Sequence, residues 1–135
     1  MEFKKRTELF ILSAFVTLAI LYIAALSQDL FFYIWWFDIP LHFLGGLWIG
    51  LTSIYIYHHS ERFKPIVLEN HLFLSIFLCV IVVGVLWEFF EYYTGLAFAF
   101  GNYPLDTVKD MLMDILGGVV SYIYFRDNLK ELSHE

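Results

Sequence analysis

Cysteine, proline and basic charge are all scarce in this chain, and each scarcity excludes something. The one cysteine, Cys79, cannot close an intrachain disulfide. It also leaves no material for a thiolate-ligated zinc site. In an apolar stretch it reads as a small buried packing residue. Eight lysines and arginines face fourteen acids, for a net charge of −6. No basic cluster accompanies an aromatic platform, so nucleic acid is not an expected partner. Two of the three prolines, Pro40 and Pro104, fall where helices are expected to start, and there a missing N–H is tolerated.

What remains is apolar. Hydrophobic residues make up 60% of the 135 positions, and the mean hydropathy is +0.69. An ordinary soluble domain is less apolar than this. A bilayer core of about 30 Å needs about 20 residues of helix. Four stretches meet that length: residues 8–27, 38–57, 72–93 and 105–125. The expected fold is all-α, a four-helix transmembrane bundle forming a single integral-membrane domain over residues 1–135. The apolar run after MEFKKR exceeds the usual h-region of about 7–15 residues, so it reads as a retained first helix, not a cleaved signal.

Orientation follows from the basic residues. Lys4, Lys5 and Arg6 precede the first stretch, Arg62 and Lys64 lie between the second and third, and Arg126 and Lys130 follow the fourth. Lys109 alone breaks the pattern. The positive-inside rule then places both termini and the middle loop in the cytoplasm, as expected of a multi-pass protein of the inner, cytoplasmic membrane. His58, His59, His71 and His134 fall in cytoplasmic segments and read as solvated. The outer loops are aromatic: FFYIWWF at residues 31–37, then Tyr92, Tyr93, Phe98, Phe100 and Tyr103. These read as an interfacial belt or as a lip through which lipid enters.

The acids gather on the opposite side from the basic residues. Asp38, Glu88, Glu91, Asp106 and Asp110 lie within about two turns of the expected outer interface, and Asp114 lies about 12 Å beyond Asp106. Asp38 and His42 are i and i+4, and Glu88 and Glu91 are i and i+3, so each pair shares a helix face. Asp106, Asp110 and Asp114 drift by only about 80° over eight residues. Each acid costs about 2.5–3.5 kcal/mol at a membrane helix centre on insertion scales. The three faces are therefore expected to turn from lipid and toward one another, as bundles do when they build a site in their core.

Six acids at one depth, with Lys109 and His42 as the only cations among them, require either protonation or a divalent ion. Oxygen-rich ligation with one imidazole suits a divalent ion, Mg²⁺, Mn²⁺, Ca²⁺ or Zn²⁺, or a carboxylate-bridged pair of Mn, Fe or Zn ions. The candidate metal ligands are Asp38, His42, Glu88, Glu91, Asp106, Asp110 and Asp114. A di-iron carboxylate site wants two Glu-x-x-His pairs, and the chain has only Glu88-x-x-Glu91. Capping of a helix start is an alternative for Asp38 and Asp106. A structural polar network is an alternative for the others. Gly46-x-x-x-Gly50 and Gly117-x-x-x-Ser121 are small-xxx-small patterns. With Gly84 one turn before Glu88, they predict close helix contact beside the acids, and the first helix reads as a packing helix.

The strings Asp38-x-x-x-His42-Phe43-x-x-Gly46, Trp87-Glu88-x-x-Glu91 and Asp106-Thr107-x-x-Asp110-Met111 together resemble the YjdF-like family of bacterial inner-membrane proteins. The Asp/His start of the second stretch is more loosely similar to VanZ-like membrane proteins. The resemblance implies a fold and a polar core, and it supplies no reaction.

Three functions fit the residues. One is a metal-dependent enzyme acting on a lipid or isoprenoid phosphate, with Glu88 as general base and His42 beside it as catalytic candidates. No arginine is near to grip a phosphate. A second is a non-catalytic membrane module with a structural polar or metal core. A third is a small proton-coupled transporter, which would need to form a homo-oligomer. Membrane lipids are the expected surroundings in each case.

Overall fold

The computed structural model describes residues 2–60, 72–96 and 103–132. Among these residues the chain is all-helical and contains no strand: α1 Glu2–Ser27, α2 Leu30–Tyr33, α3 Asp38–His59, α4 Leu72–Thr94 and α5 Tyr103–Leu132. Arg62, Lys64, His71, Phe98, Phe100 and His134, used above for orientation and the aromatic belt, lie outside the described residues, as do the side chains of Lys4, His58 and Lys130.

Each long helix extends beyond its apolar stretch. α5 is 30 residues long, or roughly 45 Å at about 1.5 Å per residue, because it takes in Tyr103 and Pro104 at its start and residues 126–132 at its end. α2 is an addition that the apolar runs do not announce. Asp29 turns the chain into it at φ 53°, in the left-handed region that Asp tolerates through its short polar side chain.

The helices are inverted relative to a water-soluble protein. Leu9, Leu12, Val16, Ile20 and Ile23 of α1 face outward, as do Leu78, Val82, Leu86 and Phe89 of α4. The interior holds Asp38, His42, Glu88, Glu91, Asp110, Asp114 and Ser121, all buried. In α4 the inward row is Ile76, Val80, Gly84, Glu88 and Glu91, so one helix face runs from apolar at its start to acidic at its end. Cys79 is one residue off that row, about 100° around the helix. It is exposed on the outward face, which corrects its reading as a buried packing residue.

Three helices, over Lys5–Ser27, Asp38–Tyr57 and Leu72–Thr94, are long and apolar enough to cross a membrane. α5 is long enough but carries Asp106, Lys109, Asp110 and Asp114 in its first half. Its outward stripe is nevertheless apolar: Leu105, Val108, Leu112, Leu116, Val120 and Ile123.

α3 and α5 form the most extensive helix pair. Glycines allow it. A methyl group on Gly46 would collide with the backbone carbonyl of Asp114, and one on Gly117 would collide with the carbonyl oxygen of Phe43. The two backbones therefore touch directly, as the small-residue patterns predict. At the end away from the acids, Ile54, Ile76, Val80 and Phe125 fill the interior. At the acidic end, Ala25, Phe31 and Leu41 close it, with Tyr22 and Phe37 packed against them.

Candidate metal centre

The acids meet because the ends that carry them meet. Asp38 opens α3, Glu88 and Glu91 lie in the last two turns of α4, and Asp106 and Asp110 lie in the first two turns of α5. His42, one turn into α3, stands at the centre. Its Nδ1 is 3.3 Å from Asp114 Oδ2, and its Nε2 is 3.6 Å from Asp38 Oδ2. Asp114 reaches this position because α4 carries no Cβ at Gly84. A methyl there would come within 2.7 Å of Asp114 Oδ2.

Neighbours hold the glutamates. The Thr107 hydroxyl donates to Glu88 Oε2 at 2.6 Å, and the Tyr103 hydroxyl donates to the Glu88 carbonyl at 3.3 Å. The Trp87 indole N–H donates to Glu91 Oε1 at 3.0 Å. Asp106 is half-buried, with Lys109 Nζ at 3.6 Å. Trp87 and Thr107 carry no role of their own in the sequence reading, and Tyr103 enters it only as a member of the aromatic belt. The first two stand inside the quoted strings, beside Glu88 and Asp106, and that adjacency is their only signal.

Three buried atoms at the centre have no hydrogen-bond partner: Asp38 Oδ2, His42 Nε2 and Glu88 Oε1. Capping does not account for the first. The N-cap of α3 is Phe37, which makes no side-chain cap, and Asp38 is turned inward, 3% exposed. Asp38 Oδ2 and His42 Nε2 face each other beyond hydrogen-bond reach, and buried polar groups left without a hydrogen bond cost about 1–3 kcal/mol each, more when charged.

The donor set fits a divalent cation. Asp38, His42 and Glu91 each bring one ligand atom within 4.8 Å of the others, as do His42, Glu88 and Asp110, and Asp38, Asp106 and Asp110. An ion with ligands at about 2.0–2.2 Å holds neighbouring ligand atoms roughly 3.0–3.6 Å apart. The gap of 3.6 Å between His42 Nε2 and Asp38 Oδ2 lies within that span. Asp38, His42 and Asp110 each belong to two of the three groups, an overlap suited to one ion or to a bridged pair. Asp114 belongs to none of the three groups. It holds the imidazole by the nitrogen that the ion would leave free, the arrangement that fixes the tautomer of histidine ligands.

A family model described as "Predicted membrane protein (DUF2238)" matches residues 1–130. No curated protein and no solved structure matches the chain. The family match is consistent with the YjdF-like resemblance at the level of a membrane-protein family, and the looser VanZ-like similarity gains no support.

Proposed function

The chain belongs to the DUF2238 family of predicted membrane proteins, and from that premise we propose that it is a four-pass protein of the cytoplasmic membrane whose interior binds divalent metal near the outer face. The fourth pass is α5. Its acids turn inward and its outward stripe is apolar from Leu105 to Ile123, so the helix needs its neighbours to cross a bilayer. The distribution of basic residues supports a cytoplasmic location for both termini. Labelling in intact cells tests this, using Gln28→Cys and His59→Cys in a Cys79→Ser background. Gln28→Cys is expected to react with an impermeant thiol reagent and His59→Cys to react only after lysis. Labelling of both from outside contradicts the topology.

The observation that carries the metal reading is the overlap of three ligand groups around buried, unpartnered oxygen and nitrogen atoms. A bound ion removes their desolvation cost together and offsets the repulsion among the acids. Bound metal would supply Lewis-acid polarisation of an oxygen and activation of water, with His42, Glu88 and Asp110 among the residues that would hold it. Purified protein is expected to retain metal, and chelation is expected to lower its melting temperature in detergent. Restoring Mn²⁺ at about a hundred times its dissociation constant should add about 2.7 kcal/mol. Protein that carries no metal and gains no stability from Mg²⁺, Mn²⁺, Ca²⁺ or Zn²⁺ would place the acids in a protonated structural network instead.

The transporter reading has less support. Among the described residues the interior beyond Asp114 is mainly apolar, with Leu51, Ile54, Val80 and Phe125 each 4% exposed or less and Ser121 as a buried hydroxyl, which offers a proton little polar route.

A further inference from the structure

A cavity of about 310 Å³ lies between α1, α3 and α4. Its volume is about ten times that of one liquid water, about 30 Å³, which is room for roughly ten methylene-sized groups. Its walls are apolar, with Leu18 and Ala19 on one side, Trp48 on the floor and Val83 opposite. Its ionisable lining residues, beside Tyr22, are Asp38, His42 and Asp114, at the centre of the proposed metal site. Behind this wall Asp38 Oδ2 and His42 Nε2 face each other at 3.6 Å without a hydrogen bond, and both side chains are more than nine-tenths buried.

We propose that this cavity binds one hydrocarbon chain of a membrane lipid, admitted sideways between α1 and α4, with the lipid's oxygen-bearing head brought to the metal. This rests on the metal reading of the same site.

Three observations select a lipid over a water-soluble ligand. First, α1 packs far more closely on α3 than on α4. Phe15 and Val83 line the cavity and remain 45% and 40% exposed, the most exposed of its lining residues on α1 and α4. The opening therefore lies between these two residues. Second, both sit near the middle of their helices, Glu2–Ser27 and Leu72–Thr94. In a bilayer that depth offers acyl or prenyl chains and no water. Third, the end nearest the aqueous face is closed by Ala25, Phe31 and Leu41. The Tyr22–Trp87 edge contact, with ring centres 5.4 Å apart, bridges α1 and α4 on the same side. A ligand from water meets this plug, whereas a chain from the bilayer meets an apolar slot. The slot also explains why α1, which contributes no ligand to the centre, stands off from α4.

A phospholipid with a diazirine at mid-chain provides the probe. It is reconstituted with the full-length protein in phosphatidylcholine vesicles, photolysed, and the adducts are mapped by mass spectrometry. Lipid around the protein labels outward residues such as Val82 and Leu86 in any case. Trp48 and Ile49 line the cavity from α3, and their adducts are assigned to a chain inside when filling the slot removes them while adducts at Val82 and Leu86 persist. Ala19→Trp fills the slot and should cut the Trp48 and Ile49 adducts to roughly a tenth or less, with metal content unchanged. Val83→Trp, which narrows the opening from the other helix, should do the same and serves if Ala19→Trp fails to fold. Adducts confined to outward residues in the wild type, with metal bound, overturn the lipid proposal and leave the metal reading standing. Floor adducts that Ala19→Trp and Val83→Trp both leave undiminished also overturn it. Slot-dependent floor adducts in protein without metal sustain the chain-binding cavity and sink the metal reading alone.

Discussion

Gly46→Leu is expected to separate α3 from α5 and to abolish metal retention along with the native fold. The atom that a side chain at 46 would strike is the carbonyl oxygen of Asp114, part of a helix backbone that has no rotamer to yield. Ordinary overpacking costs about 1–3 kcal/mol, and a backbone obstacle places this substitution at or above the upper end. Gly46 is one turn beyond His42, and the residue it abuts is His42's own partner, so the pair at 3.3 Å is lost with the packing. Gly117→Leu should act alike, since it strikes Phe43 and Leu47 from the other side. Val120→Leu, on the outward face of α5, should shift stability by no more than about 0.5 kcal/mol. Thermal unfolding in detergent measures all three. Near-normal melting of both glycine variants would show that the two helices are not in backbone contact.

His42→Ala and Asp110→Asn should each lower divalent-metal affinity by more than about 100-fold. Losing even an outer-shell partner of a metal ligand costs about 10–100-fold, and both residues stand in two of the three ligand groups. The metal-free proteins should behave differently from each other. Asp110→Asn keeps the shape and removes one of several mutually repelling buried charges, so without metal it should be at least as stable as the wild type. His42→Ala leaves Asp114 and Asp38 without the imidazole that lies between them. It should be destabilised by about 3–5 kcal/mol, the usual loss when one partner of a buried pair is removed. Isothermal titration with Mn²⁺ and melting of chelated protein separate the two effects. An Asp110→Asn protein that binds Mn²⁺ like the wild type would remove Asp110 from the centre.

The sequence carries most of the site and less of its surroundings. Asp38, His42, Glu88, Glu91, Asp110 and Asp114 could be grouped without a structure because charge in an apolar helix must turn inward and helical spacing assigns each residue a face. The same logic placed Gly46 and Gly117 at a close helix contact. Asp106 was legible as a neighbour, and its half-burial beside Lys109 follows from its place at the helix end. Cys79 was misread because the rotational phase of α4 is set by Glu88 and Glu91, three turns away, and local apolarity does not reveal it. α2 escaped notice because a single turn between aromatic residues has no periodicity. The cavity was illegible for a different reason: it arises from how far α1 stands from α4, and no residue encodes that distance alone. The contacts of Trp87 and Thr107 depend on rotamers, which spacing does not fix.

If His42 and the surrounding carboxylates ligate a divalent ion, they form its coordination shell. X-ray absorption at the manganese edge of Mn²⁺-loaded protein, after excess ion is removed by gel filtration, reads that shell. The expected result is a shell of oxygen ligands with one imidazole, at about 2.0–2.2 Å, and loss of the imidazole signal in His42→Gln. A fully hydrated ion, or a spectrum that His42→Gln leaves unchanged, would contradict it.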